Sequence, residues 1–280
     1  MMLDSYPGTR ERAVELGRGE GGDRTLAIDR DAEALIFAEL DRIHAAGHAF
    51  TAISEERGEV AYPSRSGGPP TAGGGEAAGG VLVVIDPVDG SLNAKRGLWP
   101  YAVSIAVAAG PTMADVTFGF VHDFGLGEEW SATRGGGAWC NGVALSVGDS
   151  ERRTGAGLLE LVAVESARPE WIAAAVPGLG TVAHRLRAFG SIAFALCQLA
   201  GGRVDGMVTL WNSRSVDAAA AQLIVRESGG LVTFTAAEEP LGMSLDLAAR
   251  SPIAAARTPA ALAALAAVPA GAARLRSSET

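Results

Sequence analysis

Between residues 29 and 44 the apolar positions Ala32, Leu35, Ile36, Leu40 and Ile43 recur at helical spacing, which predicts an amphipathic helix. Its opening, Asp29-Arg30-Asp31-Ala32-Glu33, carries the acidic residues suited to a first turn. A shorter helical pattern covers 10–16, and residues 50–54 read as a strand running into Glu55-Glu56. The unbroken apolar run from Val81 to Ile85 predicts a buried strand that stops at Asp86-Pro87. Residues 101–108, 115–121 and 129–132 follow as strands of an antiparallel sheet, with turn signals at Gly135-Gly136-Gly137 and Asn141-Gly142. Between these elements, 63–80 is a glycine- and serine-rich stretch with nothing to bury, and reads as a surface loop.

Past residue 145 the pattern changes. Strands at 158–164 and 206–210 alternate with helices at 169–176, 191–200 and 216–228, the last two ending at Gly201-Gly202 and Gly229-Gly230. Strands at 231–234 and 253–256 and a helix at 259–267 close the chain. Such alternation implies a partly parallel sheet. The fold class is α/β, with an α+β lobe over 1–145 and an α/β lobe over 146–280.

Charge and composition narrow the partners. Lys and Arg number 23 against 32 Asp and Glu, a formal net charge of −9 over 280 residues. A diffuse acidic surface repels phosphate backbones and anionic bilayers, so no nucleic-acid or membrane partner is expected. Small phosphorylated ligands stay open, because bound cations invert the local field. Cys140 and Cys197 are too few for a disulfide framework and read as small apolar residues in a reducing compartment. No apolar stretch suits a signal peptide or reaches the roughly 20 residues of a membrane span, so the expected location is the cytoplasm.

The chemistry concentrates at Asp86-Pro87-Val88-Asp89-Gly90-Ser91-Leu92-Asn93. An aspartate at the end of a buried apolar strand is costly unless its charge is compensated. A hard divalent cation such as Mg²⁺ does that through oxygen ligands, and the backbone N–H groups after the turn suit a phosphate. The plainer reading is a turn that only caps a helix. Glu55 and Glu56 lie just past another strand, and Asp217 opens a small-residue helix; each alone reads equally well as a solvated turn or an acidic cap. Together with Asp29, these carboxylates from separated segments could converge on metal. No P-loop, H-E-x-x-H helix or G-x-S-x-G elbow is present, and His44, His48, His122 and His184 are scattered.

The blocks Asp23 to Asp29, Ser54-Glu55-Glu56, Asp86 to Asn93, Gly190-Ser191, Gly202 to Gly206, Val216 to Ala219 and Glu227 to Gly230 resemble the inositol monophosphatase and fructose-1,6-bisphosphatase superfamily of sugar phosphatases. Ser91, Arg187-Ala188-Phe189-Gly190 and Arg214-Ser215-Val216-Asp217 resemble its archaeal-type dual inositol-1-phosphatase/fructose-1,6-bisphosphatase branch most. The resemblance implies a layered αβαβα sandwich, a homodimer, and hydrolysis of a phosphate monoester on a small sugar or cyclitol by a metal-activated water. It implies two or three Mg²⁺ held by Glu55, Asp86, Asp89, Asp217 and the Val88 carbonyl. It gives Gly90 and Ser91 the phosphate, Ser91 with Asp29 the attacking water, and Arg187, Gly190, Ser191 and Ile192 the sugar side.

The segment Thr209-Leu210-Trp211-Asn212-Ser213 lacks the acidic residue that many inositol-specific members place there. That favours bisphosphate sugars or a specialised cyclitol phosphate over plain inositol preference. A nucleotide 3′-phosphate is a rival substrate for which no aromatic slot is evident. A phosphate-binding scaffold without turnover is the rival of another class; it would not need a water-activating pair.

Overall fold

The computed structural model describes residues 15–20, 24–64, 80–146, 148 and 150–268. Most of the expected 63–80 loop lies outside the described residues, as does 10–14 of the expected first helix. Where that pattern is described, Glu15–Arg18 is a strand (β1) paired antiparallel with Arg24–Leu26 (β2). A helical pattern this short does not hold a helix alone, and cross-strand pairing satisfies its backbone instead. The first long helix, α1, spans Ala27–Ala45, so Asp29 sits within its first turn rather than at its cap.

An eight-stranded sheet comes next in the chain. Its strands are β3 (Phe50–Ser54), β4 (Gly58–Tyr62), β5 (Leu82–Asp89), β6 (Ala102–Ala108), β7 (Val116–Asp123), β8 (Glu128–Thr133), β9 (Gly137–Cys140) and β10 (Val143–Ala144). They lie in the order β10-β9-β8-β7-β6-β5-β3-β4, antiparallel except for the β3–β5 pair. On one face Phe37 and Leu40 of α1 pack against Phe50, Ala52, Tyr62, Val83 and Ile85. A short helix, α2 (Ser91–Arg96), follows β5.

The second sheet has five strands in the order β12-β11-β13-β17-β15. They are β11 (Leu159–Glu165), β12 (Ala183–Arg187), β13 (Gly206–Thr209), β15 (Leu231–Phe234) and β17 (Ile253–Ala256). β11 runs parallel to both neighbours and the rest are antiparallel, the partly parallel sheet that the alternation implies. A separate two-residue pair joins β14 (Ser213–Arg214) to β16 (Arg250–Ser251). Helices α3 (Pro169–Val182) and α6 (Pro259–Ala266) cover the outer face through Trp171, Ala175, Leu179 and Leu265. Because Leu179 and Val182 extend α3's buried stripe, the helix passes exposed Pro177 instead of ending near 176.

Between the two sheets lie α4 (Ile192–Ala200) and α5 (Ala219–Glu227). Every residue of α4 is buried, as a helix with sheets on both sides requires. α5 approaches the first sheet closely through its alanines. A Cβ added at Gly119 of β7 would lie 2.5 Å from the Ala220 carbonyl oxygen, so position 119 must be glycine for this approach. The layers run helix, sheet, helix, sheet, helix: an αβαβα sandwich.

Candidate active site

β5 does not stop at Asp86-Pro87 but continues to Asp89. Asp86 pairs with Ser104 and Asp89 with Ala102, so three steps on β5 oppose two on β6 and the strand bulges. Pro87 lies in that bulge, where its missing N–H interrupts no ladder bond. The Val88 N–H donates to Asp86 Oδ1 at 3.0 Å, while Asp86 Oδ2 is buried with no hydrogen-bond partner. Asp89 Oδ2 accepts the Ser191 hydroxyl at 2.5 Å and the Ala193 N–H at 2.6 Å, tying the strand end to the start of α4.

The chain then turns through Gly90, whose φ of 94° is open to glycine at little cost. Asn93 donates through Nδ2 to the carbonyls of Pro100 and Phe189, both at 2.7 Å, and so clamps α2 to the loop before α4. Ser91 donates to the Val88 carbonyl at 2.9 Å and reaches Asp29 Oδ1 at 3.4 Å.

Glu55 enters from the β3–β4 turn. That turn is braced by buried Glu33 of α1, which accepts from the Ser54 hydroxyl at 2.5 Å and from Arg57 N and Nε at 3.1 and 3.0 Å. Asp217 arrives just ahead of α5. One carboxylate oxygen each from Glu55, Asp86 and Asp217 lie within 4.8 Å of one another, all three residues buried. Arg214 reaches the same cluster: Nη1 donates to Glu55, and Nε donates to Asp217 Oδ1 at 3.1 Å.

Burial dominates the electrostatics. It pushes the Glu55 carboxyl up to about 8 against the opposing pull of Arg214, with Asp217 and Glu56 pushing further. Burial, then Glu55, Asp89 and Asp217, holds Asp86 well above the carboxylate range. Asp89 rises to about 7 through burial and Asp217, although its bonds from Ser191 and the α4 backbone oppose this. Buried carboxyls this close resist ionising together without a compensating charge. The orphaned Asp86 oxygen and the all-oxygen donor set fit a hard divalent cation.

The other expected residues divide. Gly190 and Ile192 line a cleft of about 440 Å³ with Asp89, Asn93, Glu165 and Asp217. Arg187 is not among its lining residues; it is exposed on the edge strand β12 and donates to the Leu186 carbonyl. Ser191 is buried, and its hydroxyl caps α4 and holds Asp89 rather than facing the cleft.

Two features went unmarked in the sequence. Glu165, the last residue of β11, is buried in the cleft wall and accepts from the Phe189 and Gly190 N–H groups at 2.9 and 2.8 Å. Burial lifts its carboxyl to about 8 against those bonds. The only local signal was a charge closing an apolar strand. The second feature is an adjoining cavity of about 290 Å³ lined by Arg168, Arg214 and Arg250 together with Trp171 and Trp211. The two indoles stack at 4.4 Å, and the Arg168 guanidinium lies 4.6 Å over Trp171. Ser166, at φ 56°, lines both cavities. No pattern along the chain brings Arg168 and Arg250 together.

The αβαβα sandwich gathers buried carboxylates from separated element ends into a cluster suited to a hard divalent cation. The sequence profile of the inositol monophosphatase family matches residues 2–270, and the chain belongs to that family. It is 33% identical to a fructose-1,6-bisphosphatase/inositol-1-monophosphatase of Methanothermobacter thermautotrophicus over 256 residues, covering 89% of this chain and 84% of that one. It is 32% identical to the Nus factor SuhB of Escherichia coli over 79% of this chain and 75% of the relative. Among solved structures, the inositol monophosphatase–fructose 1,6-bisphosphatase MJ0109 superposes with a TM-score of 0.73 at 21% identity, over 95% and 94% of the two chains. Membership of this family makes the protein a metal-dependent phosphatase. Among the described residues, no helix is long and apolar enough to cross a membrane.

Proposed function

We propose that this protein hydrolyses inositol-1-phosphate, fructose-1,6-bisphosphate or both, using Mg²⁺ held by Glu55, Asp86, Asp89, Asp217 and the Val88 carbonyl. The observation that carries the metal assignment is the unpartnered Asp86 oxygen inside a trio of buried carboxylates. When bound, Mg²⁺ polarises the phosphoryl oxygens and lowers the pKa of the attacking water.

The chain's own groups do the rest. The Gly90 and Ser91 N–H groups, at the turn into α2, bind the phosphate. The Ser91 hydroxyl, held between the Val88 carbonyl and Asp29, orients the attacking water, and Asp29 takes its proton. Asp217 faces the leaving oxygen. Gly190 and Ile192 border the sugar, whereas Ser191 acts through Asp89. In this reading residues 1–145 supply most metal ligands, and 146–280 supply Asp217 and the sugar side.

The arginine-lined cavity favours a substrate with a second anionic group. Arg168 and Arg250 would meet that anion, while a neutral cyclitol leaves them unused. The test is phosphate release from both substrates, with a 3′-phosphoadenosine nucleotide for comparison, over a range of Mg²⁺. The double variant R168Q/R250Q is expected to raise KM for fructose-1,6-bisphosphate by about 10²-fold and to spare that for inositol-1-phosphate, since each of the two charge-assisted contacts contributes about 1.5–3 kcal/mol. Equal changes for both substrates would assign the arginines to structure. Mg²⁺ bound without release from any substrate would favour the scaffold reading or a specialised cyclitol phosphate.

A homodimer in the cytoplasm completes the proposal. Leu92, Leu98, Trp99 and Leu126 are more than half exposed, and Trp99 and Leu126 line one shallow cavity, an apolar surface suited to a second copy. Sedimentation as a monomer at micromolar concentration would end the dimer assignment.

A further inference from the structure

Of the three carboxylates drawn together here, two are engaged by the same residue. Arg214 Nη1 donates to Glu55 Oε1, Nε donates to Asp217 Oδ1 at 3.1 Å, and the Arg214 backbone N–H donates to Asp217 Oδ2 at 3.0 Å. Asp86 Oδ2 is left buried without a hydrogen-bond partner. The guanidinium is not a loose surface group, for its side chain is 16% exposed. Its backbone is pinned on both sides. Arg214 pairs with Arg250 in the β14–β16 ladder, and the adjacent Ser215 hydroxyl donates to the carbonyls of Leu245 and Asp246 at 3.1 and 2.7 Å.

We propose that Arg214 is the resident counter-cation of this cluster and competes directly with the divalent metal for Glu55 and Asp217. The inference rests on the reading of Glu55, Asp86 and Asp217 as the metal site. A guanidinium takes lone-pair sites on Glu55 and Asp217 that a metal would use, and two cations at hydrogen-bond range of one carboxylate repel each other. Loading therefore drives the Arg214 head away from Glu55. The route is open, because the same side chain borders both the substrate cleft and the arginine-lined cavity. There the displaced guanidinium stands beside Arg168 and Arg250, on the side from which a second anion would enter. Metal loading and completion of the anion pocket become one movement.

A residue that merely supports metal ligands behaves in the opposite way, since its loss weakens metal binding about 10–100-fold. The sign of the change thus separates the two roles. The experiment titrates Mn²⁺ into the full chain at one fixed pH, reading free ion by electron paramagnetic resonance, and records the melting temperature in chelator. R214Q is expected to bind Mn²⁺ about tenfold more tightly than the parent and to melt lower without metal, because the carboxylates then lack their counter-charge. R214K keeps the charge but not the forked geometry, and is expected to fold even if R214Q does not, with a smaller gain in affinity. Equal or weaker Mn²⁺ binding in both variants overturns the proposal while the metal site stands. No Mn²⁺ uptake by the parent chain would remove the metal site and this inference with it.

Discussion

Asp86→Asn is expected to lower turnover by about 10³-fold or more and at the same time to raise the melting temperature of the metal-free chain. The loss follows from the loss of one buried anionic ligand, where charge stabilisation by the ion is worth several kcal/mol in the transition state. The gain follows from the same burial. Asp86 Oδ2 has no partner, while Oδ1 already accepts from Val88 and an amide oxygen can keep that bond. Removing the charge relieves repulsion from Glu55, Asp89 and Asp217.

The pH dependence carries its own sign. Glu55 is raised from 4.5 to about 8 and Asp89 from 3.8 to about 7. The metal-free fold therefore holds protons that the unfolded chain releases. Its stability is fully present below about pH 4 and is lost progressively as pH rises to about 8. Asp86→Asn should flatten that slope and be more stable by ~1–3 kcal/mol at the alkaline end. Melting curves in chelator across this range, with turnover measured at saturating Mg²⁺, read both effects. A variant that keeps normal turnover, or that loses turnover only by unfolding, would sink the metal assignment of Asp86.

Gly90→Ala is the second large effect. A side chain at φ 94° costs ~1–2 kcal/mol by itself. The added methyl would also meet the Gly190 carbonyl oxygen at 3.1 Å and the Pro100 carbonyl oxygen at 3.2 Å; Asn93 holds the Pro100 carbonyl, and Glu165 holds Gly190 through its N–H. Overpacking of that kind adds ~1–3 kcal/mol. Displacement of the Gly90-Ser91 turn is expected to cost about 10²-fold in turnover as well. Gly142→Ala is the control: its φ is 74°, but nothing lies within 4 Å of the new methyl. It should lose only the backbone term and keep full activity. Equal behaviour of the two variants in melting and turnover assays would remove the phosphate-turn role from Gly90.

Much of this was legible along the chain because the relevant forces act locally. The run from Val81 to Ile85 had to be a buried strand, and carboxylates at its end had to be compensated by something. Hydrophobic pattern marked α1 and five strands of the first sheet, β3 and β5 to β8, but not the short β4, β9 and β10, and the glycine pairs marked the ends of α4 and α5. The end of β5 was misread, since Pro87 looked like a stop. A bulge against β6 accommodates it, and bulge register depends on the neighbouring strand. The end of α3 was misread for a related reason: burial of Leu179 and Val182 outweighs the proline.

The residue types of the carboxylate cluster, their placement at element ends and the α/β class were thus determined by the amino-acid sequence, whereas the αβαβα layering was implied only by the family resemblance. Distance along the chain hid the rest. Glu55 and Arg214 are 159 residues apart, and Ser191 lies 102 residues from the Asp89 it holds. Ser191 and Arg187 looked alike as sugar-side residues. Packing of α4 against β5 buried one, and the edge position of β12 left the other outside the cleft. Arg214 read only as a mark of the archaeal-type branch, and Arg168 and Arg250 drew no notice. Only the stacking of two sheets about α4 and α5 brings a guanidinium onto the carboxylates and two more beside it. Local propensity carries no information about which distant charges will share one desolvated space, and there their interaction is strongest.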